Sequence, residues 1–146
     1  MNMVQVYIKG QEDKELSSFL RYYPVRIKNI GMDAFFDRQV VYDFKDDRNH
    51  ADVAKCVAKM LIKVVGERTA VHGTKVKKDE REKRLKEKNN IEVDANFFKN
   101  KIVCIWDDVV TTGTSFCAYT AQLEQVGAHV TNGIFLGKTS YKYVQQ

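Results

Sequence analysis

Apolar positions along the chain fall into short segments of two different periods. Residues 3–9 alternate, with Val4, Val6 and Ile8 on one side, which predicts a strand. Leu16, Phe19, Leu20 and Tyr23 recur at i, i+3, i+4 and i+7, which predicts a short helix capped by Asp13 and ended by Pro24. Residues 25–30 alternate again and stop at Gly31, and residues 39–44 (QVVYDF) have the β-branched and aromatic content of a strand. After a polar stretch, residues 50–65 predict a helix. Asn49 is its N-cap, Asp52 lies in its first turn, and Val53, Val57, Met60, Leu61 and Val64 form its apolar stripe; Gly66 is its stop.

The second half is simpler. Residues 69–74 predict a strand and residues 91–93 a short one. Residues 101–107 (KIVCIWD) are almost continuously apolar, as expected of a central parallel strand covered on both faces. A helix is predicted from about Ser115 to Val126, with Phe116, Tyr119, Thr120 and Leu123 on one face and Gly127 as C-cap; residues 129–136 predict a further strand. Strands alternating with helices predict an α/β fold, an open and mainly parallel sheet with flanking helices. The 146 residues form a single domain without repeat or linker, large enough to bury a core without disulfides or metals.

Composition changes this picture little. Hydrophobic residues make up 44% and charged residues 29%, which excludes wholesale disorder. No apolar run approaches a membrane span and the N-terminus lacks signal-peptide character, so the expectation is a cytoplasmic protein with no membrane partner. Cys56, Cys104 and Cys117 sit apart in apolar settings, as buried free thiols do in a reducing compartment. They and the scattered histidines make no zinc pattern; no dedicated metal ligand is expected beyond help from Asp107 or Asp108.

Charge is concentrated. Residues 75–90 carry eight Lys/Arg and four Asp/Glu, +4 of the net +5. The stretch has mixed sign and no aromatic residue for base stacking, which argues against nucleic acid. The sequence suggests a solvated helix or a mobile loop, or a loop closing over an anionic substrate.

The chemistry lies in residues 107–115. Asp107 and Asp108 precede Val109 and Val110, then Thr111, Thr112, Gly113, Thr114 and Ser115, between an apolar strand and a helix. Ligands of open α/β sheets bind at the carboxyl ends of strands. Successive backbone N–H groups, four hydroxyls and a glycine at a helix N-terminus suit a phosphate dianion. Two adjacent carboxylates would repel that anion unless they accept from other donors, and a vicinal diol supplies two. The predicted ligand is a sugar phosphate, and carboxylates beside its ring would stabilise developing positive charge. Neither the Walker loop nor the dinucleotide-binding glycine pattern occurs.

The segment VCIWDDVVTTGTS resembles the 5-phosphoribosyl 1-pyrophosphate (PRPP) binding motif of type I phosphoribosyltransferases, with Cys104 and Trp106 where aliphatic residues are usual. More weakly, residues 48–54 (RNHADVA) and the order of segments over residues 39–138 resemble ComF-type members, without the loop glycine and without the preceding Cys-rich module. The resemblance implies a phosphoribosyltransferase-like fold. It implies transfer of the phosphoribosyl group to a nitrogen acceptor with release of pyrophosphate. It also implies that Asp107 and Asp108 hold the ribose diol, that Thr111–Ser115 grip the 5′-phosphate, and that Mg²⁺ arrives with PRPP. Residues 75–90 lie where the family has a mobile hood. Lys45, Arg48, Lys75 and Lys77 are candidates for the pyrophosphate, with Lys78, Arg81 and Arg84 beside them in the hood. The acceptor is unspecified. Residues 1–35 have no family counterpart; residues 1–31 could read it, with Phe35, Phe36 or Tyr22 stacking on a base, though these aromatics are read first as core residues, and His72 could relay a proton but is read first as structural. Family analogy implies a homodimer, with residues 1–23 a candidate interface. A non-catalytic module sensing PRPP or a nucleotide is the alternative, and a nucleic-acid-associated regulator stands behind both.

Overall fold

The computed structural model describes residues 3–46, 48–65 and 93–144. In chain order its elements are β1 (Val4–Gln5), β2 (Glu15–Tyr22), α1 (Met32–Lys45), α2 (His50–Val65), α3 (Ala95–Phe98), β3 (Ile102–Val110), α4 (Thr114–Gln125) and β4 (His129–Thr139). The described strands form one sheet in the order β1-β2-β4-β3. β2, β4 and β3 are parallel and β1 is antiparallel to β2. The fold is therefore α/β, with a mixed, mostly parallel sheet and flanking helices.

Two apolar clusters give the molecule three layers. Phe116 and Leu123 of α4 pack with Leu16, Ile105, Val110, Val130 and Phe135 on one face of the sheet. Val41 of α1 and Val57 of α2 pack with Phe19, Ile134 and Leu136 on the other. Each such buried side chain contributes roughly 1.5–3 kcal/mol from removal of apolar area.

Several sequence expectations change. The helix expected after Asp13 is the strand β2. Its 3-4-7 spacing arises because an interior strand is buried on both faces: Leu16 joins the α4 side and Phe19 the α1 side, so no polar alternation survives. The strand expected over residues 39–44 is the second half of α1. Ala34, Arg38 and Val41, at i, i+4 and i+7, are its buried residues, and packing of this face outweighs the β-propensity of a six-residue window.

Residues 25–30 form turns rather than a strand, with Ile27 N donating to Pro24 O at 2.8 Å. Arg38 holds them: Nε donates to Tyr23 O at 2.6 Å, and Nη2 to Pro24 O and Ile27 O at 3.0 and 2.8 Å. The strand expected over residues 3–9 is paired only at Val4 and Gln5. Cys56 is exposed, Cys104 and Cys117 are half-buried, and all three are free thiols.

Helix α2 matches its expected bounds, with Val57 buried within the stripe. Asn49 precedes it in a left-handed conformation (φ 48°), and its side-chain amide donates to Asp43 of α1 at 3.1 Å. β3 continues to Val110 and so carries both aspartates; among the described residues it pairs on one side only, with β4, which like β2 is interior to the sheet. The strand expected at 69–74, Gly66 and the charged segment 75–90 lie outside the described residues, as does most of 91–93. Among the described residues, no helix is long and apolar enough to cross a membrane.

Candidate functional site

Three parallel strands end together. In the sheet, Arg21 of β2, Lys138 of β4 and Val110 of β3 share one level, with Tyr22 beside Thr139 at the next. The loop of residues 111–113 leaves β3 here and enters α4. Thr111 Oγ1 lies 2.8 Å from Thr139 Oγ1, which ties this loop to the end of β4. Thr112 and Thr114 hydroxyls are 3.0 Å apart, and Thr111, Thr112 and Thr114 are exposed.

Gly113 is the N-cap of α4. It has φ 87° and makes no side-chain cap bond. A Cβ there would stand 2.7 Å from Ile8, so the glycine serves close approach by the protein's own N-terminal segment. Its carbonyl accepts from Cys117 N at 2.9 Å, the first bond of the helix. The first N–H groups of any helix lack intrahelical acceptors, and here no N-cap side chain supplies one.

The aspartates sit at an irregular level of the sheet. The registers run Ser18–Phe135–Asp107 and then Leu20–Gly137–Val109, with no pairing at the intervening level of Phe19, Leu136 and Asp108. Side chains take over there. Asp107 Oδ1 accepts from Asp108 N at 2.8 Å and Asp108 Oδ1 from Val109 N at 2.7 Å. The wholly buried Ser18 hydroxyl lies 2.7 Å from Leu20 O and 3.3 Å from Leu136 O. Regular alternation would send Trp106 and Val109 to opposite faces, yet both pack on the α1 side.

Other candidates are dispersed. Phe44 of α1 packs on Trp106, with ring centroids 6.2 Å apart, while Val41 stands over Gly137, which is level with Val109. α1 thus runs antiparallel to β3, and its C-terminus lies about 15 Å from the loop, at roughly 3.3 Å per strand residue. The structure does not bring Lys45 or Arg48 to residues 111–115; Arg48 instead pairs with Asp46 at 2.8 Å. Lys75, Lys77, Lys78, Arg81, Arg84 and His72 lie outside the described residues. Phe35 and Phe36 are 52% and 57% exposed on the outer side of α1, so they are not core aromatics. Tyr22 is half-buried, and burial, with help from Tyr42, pushes its phenol up to about 12. Burial and the nearby Asp33 also raise the Asp37 carboxyl.

Sequence reasoning missed the basic character of this end. Residues 21–31 hold Arg21, Arg26 and Lys28 without an acidic residue, and residues 137–144 hold Lys138 and Lys142, again without one. β2–β4 pairing joins the two segments. Ser140 N donates to Tyr22 O at 2.8 Å, the Arg26 guanidinium lies 4.6 Å over the Tyr141 ring, and Tyr23 meets Tyr143 edge-on. No local pattern announces a pair 117 residues apart.

A cavity of about 610 Å³ borders β2 and residues 5–14. Ile8 and Lys138 connect it to the loop; most of its lining, including Gln11, Glu12, Glu15 and Asn132, lies toward the amino ends of the strands. Gln11 Oε1 is buried there without a partner among the described residues. No group of three or more potential metal ligands occurs among the described residues. Neither protein-family models, curated proteins nor solved structures match the chain.

Proposed function

We propose that this chain is a phosphoribosyltransferase with a type I phosphoribosyltransferase-like fold. One observation carries the reading. A Thr/Gly loop at an N-terminus lacking a side-chain cap follows an acidic pair at the carboxyl end of a parallel strand. Exposed hydroxyls and helix N–H groups without an N-cap side chain suit a 5′-phosphate. Asp107 and Asp108 are assigned to the ribose diol and to the positive charge that develops on the ring as the C1′–oxygen bond to pyrophosphate breaks. The acceptor nitrogen then bonds to C1′ and loses its proton to solvent.

The protein contributes position and electrostatics. Mg²⁺ is expected to arrive on the ligand. The two carboxylates are hard oxygen donors of the kind it takes, and when bound it would offset the pyrophosphate charge. A cytoplasmic homodimer belongs to the same proposal.

The position of Lys45 and Arg48, away from the loop, favours one second reading, a module that binds PRPP without turnover. Calorimetric titration of PRPP with Mg²⁺ tests the site. The wild type should bind and a folded Asp107→Ala/Asp108→Ala variant should not. No binding by the wild type refutes both readings. Pyrophosphate release across a panel of nitrogen bases separates enzyme from sensor.

A further inference from the structure

Arg21 and Lys138 are direct neighbours on parallel strands, level with Val110. In-register neighbours project to the same face, and Val110 belongs to the α4-side cluster. Lys138 also lines the cavity, with Ile8 and Leu16 among its neighbours there. Both side chains are half-buried. Like charges placed opposite one another destabilise a sheet unless something neutralises them. Among the described residues, neither has a carboxylate partner. The cavity's own carboxylates are engaged elsewhere, Glu12 by Tyr7 and Gly10 N, and Glu15 by Asn132. The two segments that carry the pair, residues 21–31 and 137–144, also hold Arg26, Lys28 and Lys142 and no acidic residue.

We propose that Arg21 and Lys138 form a second oxyanion-binding site, distinct from the N-terminus of α4. Adjacent strands lie about 4.8 Å apart, so the pair stands one and two strands from the Thr111 loop. Its ligand is a phosphate or carboxylate group held between a guanidinium fork and an ammonium. As a subsite this rests on the transferase reading, where two sources could supply the group: the pyrophosphate of the donor, or an acidic group on an aromatic acceptor.

The test is calorimetry with two probes, inorganic pyrophosphate and a pyridine carboxylate. It uses wild type, Arg21→Gln, Lys138→Gln and the neighbouring control Lys142→Gln, each checked for folding by circular dichroism. At least one probe should bind the wild type and weaken at least tenfold in both Arg21→Gln and Lys138→Gln, with Lys142→Gln unchanged. Which probe responds identifies the source. The proposal is overturned if neither probe binds the wild type, or if binding survives both substitutions or falls equally in the control. Failure of the transferase reading is distinct: PRPP would not bind the wild type, while probe binding would still depend on Arg21 and Lys138.

Discussion

Replacing Gly113 by Ala isolates the packing that shapes the loop. Two costs arise together. At φ 87° an L side chain is strained by about 1–2 kcal/mol. The added methyl would also stand 2.7–2.8 Å from three side-chain atoms of Ile8, a residue only 4% exposed. Overpacking of a closed core costs about 1–3 kcal/mol. The sum is roughly 2–5 kcal/mol, read by urea denaturation as a lower midpoint at unchanged slope. The two costs separate in a double-mutant cycle with Ile8→Ala. That change alone should cost about 2–5 kcal/mol for its cavity. It makes room for the new methyl while leaving the φ strain, so the double variant should be more stable than additivity predicts by about 1–3 kcal/mol. Strict additivity would refute the Ile8 contact. A Gly113→Ala cost below about 1 kcal/mol would refute the left-handed conformation as well.

Arg38→Met should destabilise by about 3 kcal/mol or more, because three carbonyls lose charge-assisted bonds in a buried site; proteolysis should then cut within residues 23–31 first, and an unchanged cleavage pattern would count against Arg38 as their anchor. Thr120, 2% exposed, has a hydroxyl without a partner among the described residues; Thr120→Val should be neutral or stabilise by up to about 2 kcal/mol in thermal unfolding, and a clear loss would reveal a donor or acceptor in its surroundings. Tyr22 keeps its proton in the folded state to about pH 12, against 10 when unfolded. Its contribution is full below pH 10 and is lost as pH rises through 12, so wild type should lose more stability than Tyr22→Phe across that window, with one late phenolate signal in the ultraviolet titration missing from the variant.

The parts of the chain legible beforehand were those whose periodicity and surroundings agree. Helix α2 has a single apolar stripe, and the β3–α4–β4 succession has a strong apolar strand and a glycine at each helix end, at positions 113 and 127. The strand–loop–helix junction that holds the acidic pair and the Thr/Gly loop was legible for the same reason: nine consecutive residues span it. The N-terminal third was misread because its patterns are short and shared between structures. A strand buried on both faces mimics helical spacing, as in β2, and a β-branched pair such as Val40 and Val41 fits a helix once one member is buried and the other exposed.

Local order of residues thus determined the α/β class, the strand–loop–helix junction at residues 107–115 and the residue types available there. Long-range pairing decided the rest. It made β2 a strand, put Ile8 against Gly113, carried Lys45 and Arg48 away from the loop, and set Arg21 beside Lys138. The reason is energetic: helix and strand propensities differ by under about 1 kcal/mol per residue. Burying one large apolar side chain is worth more than that, so partners distant in sequence outweigh the preference of any short window.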